Sequence, residues 1–288
     1  MQAFADLFFR AVELRRQCLI ACSPEEEIRE RLQQSRNILE AARSKRPAPH
    51  RDDKIVTAWN GLAIGALARG ARVLQRADLA NAAGEAAGFL KRELWNGDRL
   101  YRSYRGRRGG VAGFPADYAF LISGVIELHG ISPEDAWLDW AIDLQRAFDQ
   151  AYWDASRAGY VMRAELSGNL LMQIREDYDG AEPSPNHVAA VNLLKLAALC
   201  DDDAFRKQAE ALLRSGARIL ETQPYAAPVL LDALDMYQRG VMKFQIPNQP
   251  TASAAEKLRT SYFPRAVFSD APGDEVLLCE GMTCRLFT

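Results

Sequence analysis

A chain of 288 residues with 48% hydrophobic and 26% charged side chains carries enough apolar material for one large core and a smaller one. Its 36 lysines and arginines against 38 acids leave a net charge of −2, which speaks against the positive field that gathers nucleic-acid backbones. No apolar run approaches the roughly 20 residues that span a bilayer, and residues 1–10 have no basic stretch ahead of their apolar one; neither a membrane span nor an export signal is expected, and the chain reads as cytoplasmic.

The first start signal is Ser23-Pro24-Glu25-Glu26, which combines an N-cap serine, a first-turn proline and a capping-box glutamate, and predicts a helix to about Arg43. Asp53 then precedes T-A-W-N-G-L-A-I-G-A-L-A-R-G-A-R-V-L, a helix apolar on nearly every side, followed by a turn at residues 76–78 and a second helix over about 79–94. Asp117 opens Y-A-F-L-I-S-G-V-I-E-L-H-G. After it Ser132-Pro133-Glu134-Asp135 restarts a helix on which Trp137, Trp140, Ala141, Leu144 and Phe148 recur at helical spacing. Asp179 precedes P-S-P-N-H-V-A-A-V-N-L-L-K-L-A-A-L, then comes a turn at residues 201–203 and a helix to about Glu221. This pattern recurs about every 60 residues and decides the architecture before any single side chain is weighed.

Between the units, residues 99–111 and 159–171 alternate Tyr, Val and Met with polar side chains and read as short hairpins. A helix over about residues 225–237 begins a fourth unit. From residue 241 the periodicity changes to strands near 241–247, 262–268 and 275–279 around a short helix at 254–260. The expected organisation is a partial α/α toroid over residues 1–240 and a small α/β subdomain over 241–288.

In each unit the first helix must be enclosed by neighbours, whereas the second needs only one covered face. Such hairpins most naturally close into a ring whose inner helices run the same way, so residues at their starts gather at one rim. That places Asp53, Asp117, Asp179 and Glu182 together, with Trp59, Tyr118 and Tyr178 beside them. Carboxylates at helix starts are half expected from the helix dipole alone. Acids with aromatic faces and amides, however, also suit a polyhydroxylated ring. Asp117 with Asp179 or Glu182 could supply the two carboxylates of glycosidic acid/base chemistry. Asp53, Lys54, Trp59, Asn60, Tyr118, Tyr178, Asn186 and His187 are then candidates for binding substrate.

Three histidines are present. His50 lies in a linker, His129 ends an inner helix where a cation suits the dipole, and His187 alone sits in the acidic motif, as a base or as part of a turn. Arg99, Arg102, Arg105, Arg107 and Arg108 form a basic hairpin, either solvated or able to hold an anionic substituent. The five cysteines include no C-x-x-C pair, which suits a reducing compartment. Cys279 and Cys284 could bind a metal or pair under oxidation, but neither metal nor cofactor is expected from so sparse a pattern.

The strings P-H-R-D-D-K-I-V-T-A-W-N-G-L, A-D-Y-A-F-L-I and Y-D-G-A-E-P-S-P-N, in that order, resemble those of the thioredoxin-domain-containing family that includes spermatogenesis-associated protein twenty and its bacterial relatives. The resemblance covers about residues 23–221 and continues weakly to C-E-G-M-T-C. It implies an (α/α)6 toroid of the six-hairpin-glycosidase-like kind, similar to N-acylglucosamine epimerases, preceded in full-length relatives by a thioredoxin-like domain. It implies no settled reaction. The matching positions are Asp52, Asp53, Lys54, Trp59, Asn60, Gly61, Asp117, Tyr118, Asp179, Gly180, Glu182, Pro183 and Asn186; relatives usually have Leu where Arg51 stands and Ser where His187 stands.

About nine helices are read where six hairpins need twelve, so the chain is expected to be the C-terminal part of a longer ancestor. An open ring exposes apolar helix flanks, and a homodimer or a separately encoded thioredoxin-like half would cover them. Two functions follow as expectations. One is a fragment that binds or processes a small carbohydrate; the other is a non-catalytic helical module working with a thioredoxin-like partner.

Overall fold

The computed structural model describes residues 24–132, 136–162, 175–247, 250–281 and 283–287. It divides into two compact units, Met1–Asp53 and Lys54–Thr288. The first holds helix α1, Glu25–Arg43, which begins with three glutamates and ends on Arg43, the charge order that a helix dipole favours. Ion pairs Arg29–Glu25 and Arg31–Glu27 brace its exposed surface. Ser23 of the expected cap lies outside the described residues.

The second unit starts with strand β1, Ile55–Val56, and then alternates two kinds of helix. Helices α2 (Thr57–Leu74), α4 (Pro115–His129), α6 (Pro185–Cys200) and α9 (Pro228–Arg239) pack side by side in that order. Helices α3 (Ala77–Glu93), α5 (Trp137–Tyr152) and α7 (Asp203–Ser215) lie on α2, α4 and α6 respectively. This is the inner and outer layering of an (α/α)6 toroid, incomplete among the described residues. The two layers follow from sequence. On α4 and α6 nearly every residue is buried, while on α5 the buried set is a stripe that includes Trp140, Leu144 and Phe148.

Two glycines set how closely the inner layer packs. A Cβ on Gly61 of α2 would stand 2.5 Å from the Leu121 nitrogen of α4, and one on Gly124 would collide with the Gly61 carbonyl. Only hydrogen at these positions lets the two backbones touch.

The connections differ in detail from expectation. Within residues 99–111, strand β2 (Ser103–Tyr104) pairs with β1, so the decoration ties back to the start of α2. Strand β3 (Trp153–Asp154) pairs with β4 (Gly159–Tyr160), and residues 163–171 of the second expected hairpin lie outside the described residues. The same holds for Pro133, Glu134 and Asp135 of the expected helix start; α5 begins at Trp137. The single helix expected over 203–221 is broken at Gly216 into α7 and α8 (Ala217–Thr222). There the Leu230 side chain occupies the space a Cβ would need.

From residue 242 the chain forms β5 (Met242–Ile246), α10 (Ala252–Thr260), β6 (Ala266–Asp270), β7 (Leu277–Glu280) and β8 (Thr283–Leu286). The sheet order is β6-β5-β7-β8, with β5 and β6 parallel across the α10 crossover and the other pairs antiparallel. Phe244, Phe268, Val276 and Leu278 give this sheet its own apolar cluster. It nevertheless belongs to the second compact unit, since β6 packs on α4 and α6 and α10 packs on α2. Cys279 and Cys284 face each other across the β7–β8 register and are joined as a disulfide. Among the described residues no helix is long and apolar enough to cross a membrane.

Candidate functional site

Two of the recurrent aspartates, Asp117 and Asp179, each tie two neighbouring inner helices together at their N-terminal ends. Asp117 is the third residue of α4 and fully buried, with 0% exposure. One carboxylate oxygen accepts from the Phe114 amide at 2.7 Å, capping its own helix, and the other accepts from the Ala58 amide at 2.9 Å, capping α2. Arg102 adds a contact at 3.3 Å. Burial pushes the Asp117 carboxyl up to about 6, against the opposing pull of these amides and of Arg102.

Asp179 does for α6 and α9 what Asp117 does for α2 and α4. Its Oδ1 accepts from the Ser184 amide at 2.8 Å and its Oδ2 from the Val229 amide at 2.9 Å. His187 Nδ1 lies 2.9 Å from the same Oδ1. Burial pushes this carboxyl up, but the imidazole and the two amides outweigh it and hold Asp179 below its usual value. An ionised carboxylate only accepts, so Nδ1 of His187 is the donor in this contact.

A third tie crosses the same rim. The Trp59 indole N–H on the first turn of α2 donates to Glu182 Oε1, just ahead of α6, at 2.7 Å. Unlike the two aspartates, this pair faces water: Trp59 is 59% exposed and Glu182 is exposed. Tyr178 is 66% exposed, with its ring against Gly180. Lys54 is exposed and Asn60 half-buried, its amide donating to the Val56 carbonyl at 2.8 Å.

Two other sequence candidates are built into the core. Asn186 accepts from the Tyr160 amide at 2.7 Å and donates to the Tyr160 and Glu176 carbonyls, clamping β4 to the start of α6. The Tyr118 hydroxyl accepts from the Leu100 amide, and its ring stacks on Phe148. Asp53 is exposed and belongs to the first unit. The basic hairpin disperses: Arg102 goes to Asp117, and Arg108 goes to the Glu93 carbonyl and over the Tyr101 ring. His129 is buried, which lowers its pKa and works against the helix-end cation that its position suggested.

Between the inner helices lies a cavity of about 440 Å³. It runs from Val188 and Val229, in the first turns of α6 and α9, toward Arg69 and Arg72 near the end of α2, where Phe263 and Phe268 of the C-terminal segment also line it. Its charged lining was not singled out from sequence. Glu127 of α4 is buried, and Lys195 of α6 donates to it at 2.7 Å, with Arg69 and Arg72 each at 3.8 Å. Burial pushes Glu127 up, but the three cations outweigh it and leave the carboxyl below its usual value. The signal was present: a charge inside an apolar stretch of a buried helix, as in V-I-E-L and L-L-K-L, demands a partner. A larger depression of about 700 Å³, lined by Asp201, Lys243 and Cys279 among others, lies apart from these groups.

No protein-family model matches the chain. The chain is 35% identical over 248 residues to human spermatogenesis-associated protein 20, an alignment covering 81% of this chain and 32% of that protein. An uncharacterised protein of Caenorhabditis elegans is 31% identical over 242 residues, covering 81% of this chain and 33% of its own length. The chain thus spans about a third of the relatives it matches. Among solved structures, a GH76 α-mannanase from Bacteroides thetaiotaomicron superposes with a TM-score of 0.52 at 16% identity, covering 67% of this chain and 55% of the mannanase. That likeness is one of fold. The chain is therefore a homologue of spermatogenesis-associated protein 20, matching a part of that protein, and its helical layers share the (α/α)6 toroid fold of that mannanase.

Proposed function

We propose that the rim of the inner helices binds a small carbohydrate and supports acid/base chemistry on it. The observation that carries this reading is the exposed Trp59–Glu182 pair, an aromatic face and a carboxylate joined across the mouth of the ring. An indole gives a sugar's C–H face an apolar platform, and the adjacent carboxylate accepts from hydroxyls. Glu182 is the acid or base that meets substrate. Asp179 accepts from Nδ1 of His187 and fixes the ring, which at 2% exposure supports the rim from beneath. Asp117 has no exposed surface and serves by positioning: it holds the start of α2, and with it Trp59, against α4. Tyr178, Asn60 and Lys54 complete the rim, while Asn186 and Tyr118 act from beneath it.

Titration calorimetry with a panel of neutral and charged mono- and disaccharides tests the reading. Trp59→Ala and Glu182→Gln are expected to weaken sugar binding about tenfold or more while moving the melting temperature by no more than about 2 °C, because both side chains are largely in water. No response to any sugar, or binding indifferent to both substitutions, overturns it.

A further inference from the structure

We infer that the cavity between the inner helices is an anion-recognition site, and that, within the sugar reading above on which this part rests, the ligand is a sugar bearing a carboxylate or a phosphate. The argument begins with an excess of charge. One buried carboxylate, Glu127, needs one close cation, and Lys195 at 2.7 Å supplies it. Arg69 and Arg72, each 3.8 Å from Glu127, add ion pairs but no hydrogen bond, so three cations share one carboxylate. They leave two positive charges on the same wall.

Arg72 is held in place for such a role. Its guanidinium stacks on the Phe268 ring at 3.9 Å, and its Nη1 is buried with no hydrogen-bond partner. Leaving a buried guanidinium N–H unsatisfied is costly, and an incoming oxyanion would satisfy it in the geometry that arginine forks prefer. Desolvation dominates at this site and pulls the Arg72 pKa down, the sign of a cation short of negative charge. The other acid of the lining, Asp232, is pushed up by burial and by Asp235 and Asp179; its carboxylate offsets one of the two surplus charges and leaves the wall net positive.

The rest of the lining fits a polyhydroxylated body. Ser123, Ser261 and Tyr262 bring hydroxyls beside Val191 and Met236. A cavity of about 440 Å³ lies within the range of small-molecule sites. Val188, the residue after His187, lines one end, so an anionic group held by Arg69 and Arg72 would lie near the end of α2 with the remainder of the ligand toward the first turns of α6 and α9.

The test is titration calorimetry on the full chain with glucose, glucuronate, glucose 6-phosphate and inorganic phosphate, for the wild type and for Arg69→Gln and Arg72→Gln. Arg69 is half exposed and its replacement should leave folding intact, whereas Arg72 packs on Phe268, so melting is followed in both variants. At least one charged sugar is expected to bind about tenfold more tightly than glucose. That preference should fall about threefold or more in Arg69→Gln and weaken with added salt. Equal affinity for glucose and the charged sugars, or a preference unmoved in both variants, overturns the inference while leaving the sugar reading in place. Phosphate binding that depends on Arg69, with no response to any sugar, keeps the anion site and removes the sugar reading. No binding of any of the four removes both.

Discussion

Replacing Asp117 with alanine tests whether the repeated aspartates are ties between helices. The substitution strips the acceptor from two helix starts at once, the Phe114 and Ala58 amides. Leaving a buried donor unsatisfied costs about 1–3 kcal/mol, so the gross loss is about 2–6 kcal/mol. Against this stands the burden of an ionised carboxylate with 0% exposure. A carboxyl raised from 3.8 to about 6 favours its protonated form in the folded state by about 3 kcal/mol. Because the folded pKa is raised, this contribution to stability is full below the unfolded value near 4 and is lost as pH rises through about 6. Asp117→Ala should therefore cost up to about 3 kcal/mol at pH 7.5 and about 2 kcal/mol more at pH 4.5. In a unit of this size that is a fall in melting temperature of up to several degrees at neutral pH that widens on acidification. Urea and thermal unfolding of wild type, Asp117→Ala and Asp117→Asn at the two pH values measure it. A gap that stays constant or narrows toward pH 4.5 refutes the tie, and an Asp117→Asn protein that melts like wild type but no longer binds sugar would put Asp117 on the substrate instead.

Two further outcomes follow from the same contacts. Gly124→Ala drives a methyl group into the Gly61 carbonyl and should destabilise by about 1–3 kcal/mol or more, while Gly84→Ala, with nothing near its Cβ, should be neutral or stabilising; equal melting of the two by circular dichroism would deny the close crossing of α2 and α4. Asp179 and Glu127 both have folded pKa values held below their unfolded ones, so their contribution is present above about pH 4 and is lost as pH falls through the folded values. Asp179→Asn should thus flatten the acid limb of a stability–pH curve below about pH 4; a limb as steep as that of wild type would show that the carboxylate is not held by its His187, Ser184 and Val229 partners.

The layered helices were legible because their cause is local. A helix enclosed on all sides must be apolar all round, as α4 and α6 are, and a helix covered on one side shows a stripe, as α5 does. The spacing of Asp117 and Asp179 marked the starts of inner helices for an equally local reason, the demand of unpaired amides for an acceptor. Sequence also separated the C-terminal strands from the helices by their change of period, although it missed β8, whose residues are all exposed and carry no buried pattern. Which acids face water was decided elsewhere. Asp117 and Glu182 look alike in a string of letters, but one lies between two helix ends and the other on an open rim, and only packing between segments about 60 residues apart or more distinguishes them. The charged wall of Glu127, Lys195, Arg69 and Arg72 depends still more on tertiary structure. Each of these residues belongs to an inner helix, and they become one site because α2, α4 and α6 lie side by side, bringing into Coulomb range charges that the chain keeps far apart.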